Sequence, residues 1–303
     1  MIDLSIITVS YNGREFLKKC LLSILQNISE AIKYEIIVVD NASTDGTVES
    51  IEHYVSSSKY KNVKIIANKE NVGFSKANNQ GIKASGESRY VLFLNPDTVV
   101  QKKTIETMLE FMQKHTDAGA ATCKLIVPNG GIDDASHRGF PTPWNSFCYF
   151  SRLSRLFPNS KFFNGYNLGW MDMSKIHEID ALAGAFMLVR REAGKMVGWW
   201  DEDYFFYGED IDFCYRLKEK GWRIYYIPTV FTLHYNGVSS GIKKISRLIS
   251  KATKETKILA TKHRFNAMKI FYKKHYEKKY PKLITWFIYG AIYIKERLAL
   301  LSI

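Results

Sequence analysis

The chain lacks the features of a secreted, disulfide-stabilised protein. Its 303 residues include only four cysteines, Cys20, Cys123, Cys148 and Cys214, which show neither close pairing nor metal-ligand spacing. Free thiols in a reducing compartment are the simplest account of such cysteines. The N-terminus has no basic region and only a short apolar run over residues 4–9, so we recognise no signal peptide. We therefore expect a cytoplasmic protein.

Long apolar runs are also missing. The most apolar stretch of the C-terminal region, residues 283–294, is interrupted by Lys295 after twelve residues. A membrane-spanning helix needs ~20 such residues, so this stretch is too short to predict a span. The hydrophobic content of 46% and the aromatic content of 14% exclude a disordered chain and indicate a well-filled globular protein.

Acidic residues are scarce in one region only. The chain carries 43 Lys and Arg against 30 Asp and Glu, a net charge of +13. Fourteen of these basic residues and only two acids lie between residues 243 and 282, and the remainder is close to neutral. A nucleic-acid-binding protein that uses this basic tail is an alternative from another class. Such proteins usually carry their charge around the functional cleft, so we expect no nucleic-acid partner.

Strand-like and helical patterns alternate along the first hundred residues. This alternation predicts right-handed βαβ units, an α/β class and a mostly parallel sheet of the nucleotide-binding type. Residues 128–175, rich in Gly, Pro, Asn and aromatics, are typical of a long insertion over the active-site face. The predicted strands are 4–9, 35–40, 63–68, 90–95 and 180–190, with strands on either side of Pro228 over 223–235. The predicted helices are 16–25, 77–84, 104–112 and 211–220, and residues from 243 onward are helical.

An acidic residue follows the strand over residues 90–95. Pro96 ends the strand because it cannot donate a ladder hydrogen bond, and Asp97 is left at its carboxyl end. Open α/β sheets bind ligands at that edge, where a carboxylate can hold a divalent cation and the cation a diphosphate. A turn carboxylate bonded to nearby backbone N–H groups is the alternative interpretation.

Asp40 ends a second buried strand in the same way. Its carboxylate can accept from the N3–H of uracil or thymine, whereas cytosine presents an acceptor there. Tyr11 follows the first strand at the same edge and can flank a base. The alternatives are a helix-capping aspartate and a core aromatic residue. Asn68, Gly73 and Asn78 lie at and after the end of the third strand, where side-chain amides can reach a base or ribose. Turn chemistry is the better interpretation of Asn71 and Gly73.

The segment 201–212 combines aromatic residues with carboxylates that open a helix. Acids at a helix N-terminus are favoured by the dipole, but adjacent carboxylates exceed what capping needs. One of them, Glu209 or Asp210, can serve as general base for an attacking hydroxyl. His234, at a strand end, is either an ordinary hydrogen-bonded residue or part of a metal site with Asp97.

The order of these motifs resembles the inverting family 2 glycosyltransferases of GT-A (Rossmann-like) fold, especially their rhamnosyltransferase-like branch. The resemblance spans roughly residues 3–240 and rests on motifs that are specific as a set. The matching motifs are Thr8-Val-Ser-Tyr-Asn12, Val39-Asp-Asn-Ala-Ser43, Asn68-Lys-Glu-Asn-Val-Gly73, Asn95-Pro-Asp97, Leu182-Ala-Gly-Ala185, Tyr207-Gly-Glu-Asp210 and His234.

The resemblance implies a nucleotide-sugar donor, a Mg²⁺ or Mn²⁺ cofactor and transfer with inversion. It assigns Asp210 as catalytic base with Glu209 as its neighbour, and Asp97 and His234 as metal ligands. Asn95 stands where the family's metal motif has its first aspartate, which leaves Asp97 as the main ligand. The implied acceptor-binding residues are Gly184, Ala185 and Tyr207, and the implied nucleotide-binding residues are Thr8, Ser10, Tyr11, Asp40, Asn68, Gly73, Asn78, Asn95 and Asp97.

We expect two parts in the chain. Residues 1–240 form the catalytic domain, with a donor-nucleotide half over 1–100 and an acceptor half over 101–240. Residues 241–303 form a basic, amphipathic helical extension that lies on the anionic inner leaflet of the cell membrane, which suits a lipid-linked saccharide acceptor. The alternative is a solvated basic face, with the terminal apolar helix docked on the catalytic domain or in a dimer interface. The oligomeric state is open.

The donor is expected to carry dTDP or UDP, because both bases satisfy Asp40. The rhamnosyltransferase-like branch favours dTDP-rhamnose and a role in cell-surface polysaccharide synthesis. A UDP-hexose or UDP-N-acetylhexosamine transferase is the alternative within the same class. A sugar-nucleotide-binding regulator without activity is a further alternative, against which the presence of both Asp97 and Asp210 argues.

Overall fold

The computed structural model describes residues 2–56, 62–235 and 253–303. Part of the predicted extension, residues 241–252, therefore lies outside the described residues. The strands are β1 Ile2–Ser10, β2 Tyr34–Asp40, β3 Val63–Ala67, β4 Ser88–Leu94, β5 Thr98–Val100, β6 Ala118–Ile126, β7 His177–Glu178, β8 Phe186–Arg190 and β9 Arg223–His234. The helices are α1 Arg14–Asn27, α2 Thr47–Ser56, α3 Phe74–Ala84, α4 Thr104–Lys114, α5 Pro143–Phe150, α6 Leu153–Leu156, α7 Arg191–Met196, α8 Glu209–Glu219, α9 Lys254–His275 and α10 Lys282–Leu301.

The strands form one twisted sheet in the order β3-β2-β1-β4-β8-β6-β9-β5, with β7 paired to β9. Strands β1 to β4 are mutually parallel, whereas β8 runs antiparallel to both of its neighbours. The chain order reverses between β1 and β4, which is the switch point where open α/β sheets bind ligands. The predicted α/β class is confirmed, and its parallel half carries the predicted nucleotide-binding edge.

The sheet is covered by helices on both faces, which explains the continuous apolar runs of its strands. Along β1, Leu4 and Ile6 pack into a core with α1 and α4. Ile7 and Val9 face the other side and pack into a second core with α3, α7 and α8. A strand that is buried on both faces does not alternate between apolar and polar residues. Such a strand is therefore predicted from its continuous apolar run.

Several elements differ from the prediction. The predicted strand 180–190 begins only at Phe186, because residues 184–185 form a turn and Ala181 bridges to Arg138 instead. Strand β6 lies inside the sheet between β8 and β9 but is not among the predicted strands, because Ala118-Gly-Ala-Ala121 has weak strand propensity. The residues around Pro228 form one strand, β9, rather than several. Its register against β6 shifts between Cys123 and Lys124, so Pro228 falls in an irregular stretch where its missing N–H is tolerated.

The C-terminal helices are joined to the catalytic part by an aromatic cluster. Tyr215 of α8 packs against Phe271 of α9 and against Tyr276, which follows it. Helix α10 then packs against α9 through Tyr289 and Tyr272. No helix among the described residues is long and apolar enough to cross a membrane.

Candidate active site

The carboxyl ends of the parallel strands bring the first group of predicted residues together. Ser10 of β1 is in register with Asp40 of β2, and Asp40 with Ala67 of β3. Tyr11 and Asn68, one residue further along their strands, therefore lie at the same edge as Asp40. A backbone hydrogen bond joins β2 to the residue after β3 at this edge, because the Asn68 N–H donates to the Asp40 carbonyl at 2.9 Å.

Asp40 is buried and holds the turn that follows β2. Its Oδ2 accepts from the Ser43 N–H at 2.8 Å and its Oδ1 from the Ser43 hydroxyl at 2.5 Å. The same turn bonds to the end of β1, since the Thr44 N–H donates to Asn12 Oδ1 at 2.8 Å. Each carboxylate oxygen keeps a lone pair for a further donor. Tyr11 is 42% exposed beside this turn, so its ring is accessible to a planar ligand.

Polar atoms without a protein partner collect near this edge. Thr8 Oγ1 and Ser10 Oγ of β1, Ser75 Oγ of α3 and Asn95 Oδ1 after β4 are all buried and unbonded within the described part of the chain. Buried polar groups are normally hydrogen-bonded, and an unbonded one is costly. Such a concentration is typical of a site where bound ligand or water completes the hydrogen bonds.

Asn68, Gly73 and Asn78 are engaged with the protein itself. Asn68 Nδ2 donates to Asn41 Oδ1 and to Gln80 Oε1, both at 2.9 Å. Asn78 is buried, and its Nδ2 donates to the Phe74 carbonyl within α3 at 2.9 Å. These bonds engage the side-chain amides of Asn68 and Asn78 within the protein. Contact of either side chain with a nucleotide stays a prediction.

Gly73 is required by a close approach between chain segments. Its φ is +87°, and a Cβ there would lie 2.8 Å from the carbonyl oxygen of Phe205. The adjacent Phe74 N–H donates to that same carbonyl at 2.7 Å. Because Gly73 has no side chain, the loop after β3, at the predicted nucleotide-binding edge of the sheet, can contact the segment that precedes Asp210.

Asp97 and His234 come together because β5 pairs with β9. Thr98 is in antiparallel register with His234, and the Tyr235 N–H donates to the Asp97 carbonyl at 2.9 Å. His234 Nε2 lies 3.4 Å from Asp97 Oδ1, and both side chains are buried. The predicted pair is thus assembled from positions more than a hundred residues apart.

A third residue, Asp133, completes a line of polar groups through His234. Asp133 Oδ2 lies 2.8 Å from His234 Nδ1, on the opposite side of the ring from Asp97. Burial lowers the pKa of His234, but the carboxylates of Asp97 and Asp133 outweigh it and raise this pKa to about 9. A histidine oriented by a carboxylate on one nitrogen is the usual arrangement in protein metal sites.

These residues fit a divalent cation. His234 Nε2 has no hydrogen-bond partner among the described residues although it is buried, and it faces the carboxylate of Asp97. Without a cation the two carboxylates favour a proton on both ring nitrogens; a divalent cation would displace the Nε2 proton, and the Nδ1–H that donates to Asp133 keeps the ring in the form that binds metal through Nε2. No group of three or more His, Cys, Asp or Glu positioned to hold a metal is found in the described ranges. Asp97 and His234 thus form a two-residue donor set, and substrate phosphates supply further ligands to Mg²⁺ and related ions.

Asp210 lies in the first turn of α8 and is paired with a buried arginine. Its Oδ2 accepts from Arg138 Nη2 at 2.7 Å, and its Oδ1 accepts from the Ile211 N–H at 2.8 Å. Both side chains of the ion pair are mostly buried. The pair fixes the position of the carboxylate while each oxygen keeps a lone pair that an incoming hydroxyl can use.

Glu209 differs from Asp210 in its surroundings. It is buried, and its Oε2 has no partner within the described residues. Burial, together with the charge of Asp210, raises the pKa of Glu209 to about 8. A carboxyl group that holds its proton near neutral pH does not accept one from a hydroxyl, so Asp210 is the better general base of the two.

The turn over residues 182–185 links the base to the metal motif. Arg138 Nη2 donates to the Leu182 carbonyl at 3.0 Å as well as to Asp210. At the other end of the turn, the Ala185 carbonyl accepts from the Asn95 N–H at 3.1 Å. Gly184 lies between them, and a Cβ at Gly184 would meet only ordinary contacts. The predicted acceptor turn thus connects the predicted base with the Asn95-Pro-Asp97 segment.

The backbone before α8 is strained. Tyr207 has φ +73° and Gly208 has φ +81°. A bulky residue in the left-handed region costs roughly 1–3 kcal/mol and persists only where its surroundings enforce it. Helix α9 packs closely against this strained turn and helps to hold it, because a Cβ on Gly208 would lie 3.1 Å from the Cβ of Ala267.

Asp212 anchors α9 to the base-bearing helix. Its carboxylate accepts from Arg216 Nε and pairs with His275 Nε2, each at 2.7 Å. Burial raises the pKa of Asp212, but the bonds from His275 and Arg216 outweigh it and lower this pKa. Asp212, unlike Asp210, is fully buried and therefore structural.

Sequence reasoning missed Asp133 and Arg138. Both lie in residues 128–175, which were interpreted only as an insertion over the site. Neither residue lies in a periodic or apolar pattern, and their partners are 101 and 72 positions away. The one available signal is that charged residues interrupt a loop rich in glycine and proline, which is too common to assign a role.

The switch point of the α/β sheet lies beside the buried carboxylate of Asp97, His234 and the ion-paired Asp210. This arrangement is typical of the class of nucleotide-dependent transferases. The profile described as Glycosyl transferase family 2 matches residues 5–180. The chain belongs to this family, whose members are inverting glycosyltransferases with nucleotide-sugar donors.

Two similar proteins are rhamnosyltransferases. The N-acetylglucosaminyl-diphospho-decaprenol L-rhamnosyltransferase of Mycobacterium tuberculosis is 27% identical over 270 residues, covering 86% of this chain and 85% of the relative. Rhamnosyltransferase WbbL of Escherichia coli is 28% identical over 245 residues, covering 76% of this chain and 82% of the relative. The predicted likeness to rhamnosyltransferases is therefore confirmed.

A solved structure shows the same fold. GalNAc-T7, crystallised with UDP, GalNAc and Mn²⁺, matches with a TM-score of 0.59 at 15% identity. The match covers 77% of this chain and 43% of the GalNAc-T7 chain, so this chain spans less than half of that protein. The predicted GT-A fold is confirmed.

Proposed function

We propose that the protein transfers rhamnose from dTDP-rhamnose to a hydroxyl of a lipid-linked saccharide during cell-surface polysaccharide synthesis. The supporting observation is the buried line Asp133–His234–Asp97, with an unbonded Nε2 facing a carboxylate at the edge where family 2 enzymes bind their donor. The rhamnosyltransferase relatives, one of them named for a decaprenol-linked acceptor, support the sugar and the type of acceptor.

The proposal assigns each of the predicted residues a role. Tyr11 and Asp40 bind the base, with Thr8, Ser10, Asn68, Gly73, Asn78 and Asn95 around the rest of the nucleotide. Asp97 and His234 hold Mg²⁺ or Mn²⁺, and Asp133 orients His234. The cation supplies positive charge that stabilises the leaving diphosphate. Gly184, Ala185 and Tyr207 contact the acceptor.

Asp210 acts on the acceptor hydroxyl. A hydroxyl is a poor nucleophile until a base takes its proton during attack, and Asp210 is held for this by Arg138. The hydroxyl oxygen attacks the anomeric carbon opposite the diphosphate, so the sugar is inverted. The proton passes to Asp210, and the nucleoside diphosphate leaves without a sugar–enzyme intermediate.

We further propose the division of the chain that the sequence indicates. Residues 1–100 form the donor half and residues 101–240 the acceptor half of one catalytic domain. The C-terminal region attaches the protein to the inner face of the cell membrane through α10, whose Trp286 and Phe287 are 76% and 72% exposed. The contact between His275 of α9 and Asp212 of α8 supports this proposal, because it joins the C-terminal helices to the helix that carries Asp210.

Thermal shifts test the donor site directly. The protein is melted with UDP, dTDP, GDP and CDP, with and without Mn²⁺, and a ligand at 100 times its Kd stabilises by about 2.7 kcal/mol. We expect metal-dependent shifts with dTDP and UDP that Asp97→Asn abolishes. The matched control is Asp172→Asn, because Asp172 is an exposed carboxylate bonded only to its near neighbours Ser174 and Lys175.

Transfer assays then decide the sugar. Purified protein is incubated with dTDP-rhamnose or with UDP-N-acetylglucosamine and a lipid-linked saccharide, and products are followed by mass spectrometry. Transfer of deoxyhexose alone supports the proposal. Transfer from the UDP-sugar alone replaces it with the alternative hexosaminyl activity, and the absence of any nucleotide-induced shift contradicts both.

A further inference from the structure

A second apolar surface lies outside the candidate active site, on residues 143–163, which we call the aromatic segment. Its exposed large side chains are Trp144, Phe147, Tyr149, Phe150, Leu156, Phe157 and Phe162. Most of them form connected ring contacts: the Trp144 ring lies 5.7 Å from that of Phe147 and 4.8 Å from that of Phe162 between centroids, and Phe163 joins Phe162 to Phe157. Single exposed apolar residues are ordinary, but a contiguous set marks an interaction surface.

The aromatic segment adjoins the exposed side chains of α10. Lys295 Nζ of α10 lies 4.3 Å from the centroid of the Phe150 ring. The exposed large apolar residues of α10 are Leu283, Ile284, Trp286, Phe287, Tyr293, Ile294, Leu298 and Leu301. Two elements more than a hundred residues apart thus present apolar side chains at one junction.

The charges around these side chains have one sign. The aromatic segment contains Arg152, Arg155 and Lys161 and no acidic residue. Helix α10 contains three basic residues and one acid, Glu296. Glu296 is itself bonded to Lys269 of α9 at 2.7 Å and is mostly buried. The surface therefore combines apolar side chains with an excess of positive charge.

We propose that the aromatic segment and α10 together form one membrane-binding face for an anionic bilayer. Aromatic and aliphatic side chains enter the acyl boundary, while Lys and Arg remain at the level of anionic head groups. A second copy of the chain fits the surface less well. In a two-fold dimer the same patch faces itself, so its basic residues meet basic residues without acidic partners.

This face orients the acceptor half of the active site, an inference that rests on the proposed function. Helix α5 begins at Pro143, five residues after Arg138, which holds Asp210. Five residues span at most about 18 Å, so the membrane-binding face begins within that distance of the base-holding arginine. A saccharide carried on a bilayer lipid then reaches Asp210 without leaving the membrane surface.

Vesicle flotation tests the role of the aromatic segment. Full-length protein is mixed with vesicles of phosphatidylcholine, with or without phosphatidylglycerol. One variant is Phe147→Ser/Leu156→Ser, whose native side chains are 56% and 69% exposed, and another is Trp286→Ser/Phe287→Ser in α10. The matched control is Met196→Ser, an exposed apolar residue of α7 outside both elements.

We expect wild type and Met196→Ser to bind phosphatidylglycerol vesicles in a salt-sensitive manner and to bind phosphatidylcholine vesicles poorly. Each double variant should bind the anionic vesicles at least about tenfold more weakly, because each loses two inserting side chains. Melting curves should stay close to wild type since the replaced side chains are exposed. Unchanged vesicle binding by Phe147→Ser/Leu156→Ser overturns the proposal.

Two further readouts separate the remaining outcomes. A wild-type dimer in light scattering that Phe147→Ser/Leu156→Ser turns into a monomer, with vesicle binding unchanged, assigns the surface to a second copy and overturns the proposal. Nucleotide-induced thermal shifts should be the same in all variants. Expected vesicle binding without any nucleotide shift in wild type contradicts the proposed function and leaves the membrane-binding face standing.

Discussion

Replacing Asp133 by asparagine should weaken metal binding without unfolding the site. Asp133 Oδ1 accepts from the Ala135 N–H at 3.1 Å, and asparagine preserves such a turn. The substitution removes the negative charge 2.8 Å from His234 Nδ1. The amide can also present its Nδ2 to the ring, which favours the wrong tautomer and places a hydrogen on Nε2, where the metal binds.

The expected magnitude follows from the position of Asp133 behind a ligand. Loss of such a partner typically weakens metal affinity by about 10–100-fold. Since each tenfold change is about 1.4 kcal/mol, the cost is about 1.4–2.8 kcal/mol. The structure favours the upper part of this range, because Asp133 and His234 are both buried and no other acceptor for Nδ1 is found among the described residues.

Calorimetric titration of Mn²⁺ in the presence of saturating dTDP or UDP measures the effect. Asp172→Asn serves as the control because its exposed carboxylate bonds only locally. The melting temperature without metal is recorded for both variants. A wild-type Mn²⁺ affinity in Asp133→Asn would refute the reasoning, and so would an equal loss of stability with and without metal, which would make Asp133 purely structural.

Three further predictions concern Asp210 as the base, the close approach of Gly73 to Phe205, and the docking of α9 on α8 through Asp212. Asp210→Asn should lower transfer by at least about 10²-fold while the donor Kd, measured by calorimetry, stays near wild type. Gly73→Ala should cost about 2–5 kcal/mol in urea unfolding, about 1–2 from its positive φ and about 1–3 because its Cβ meets the Phe205 carbonyl at 2.8 Å, whereas Gly130→Ala, with φ +83° and open space, should cost about 1–2 kcal/mol from its φ alone. Asp212→Asn should cost about 3–5 kcal/mol near neutral pH, and the difference from wild type should shrink as the pH falls below the ordinary Asp pKa of 3.8.

The sign of the last effect follows from the lowered pKa of Asp212. A carboxylate with a lowered pKa in the folded state contributes stability above its unfolded pKa and loses it as the pH falls. A difference between wild type and Asp212→Asn that grew on acidification would contradict this assignment. Equal costs for Gly73→Ala and Gly130→Ala would show that the approach of Phe205 is unimportant, and parallel loss of donor binding and transfer in Asp210→Asn would remove Asp210 as the base.

The sequence by itself determined the parallel half of the fold. Strands β1, β2 and β4 are buried on both faces, so their apolar runs can be recognised in the sequence without knowledge of the neighbouring strands. The end of each run also locates the functional edge, because parallel strands share one carboxyl edge. Asp40 and Asp97 were found in this way, and the order of the motifs identified the family.

Other parts of the site were decided only by tertiary structure. Asp133 and Arg138 contact His234 and Asp210 because β6 pairs with β9 and the chain after β6 then pairs with Ala181. Strand β6 itself has weak local propensity and is held by its two neighbours.

The docking of α9 also depends on a surface that the sequence does not display. Its basic residues suggested a solvated or membrane-facing helix, yet His275 pairs with Asp212, and Lys274 pairs with Asp201 and Asp203. A charged residue in a helix has the same local pattern whether it faces water or a carboxylate on another element. The local sequence pattern indicates which residues are buried and with what periodicity, whereas pairing across sixty or more residues depends on sheet order and helix placement, which only the folded chain defines.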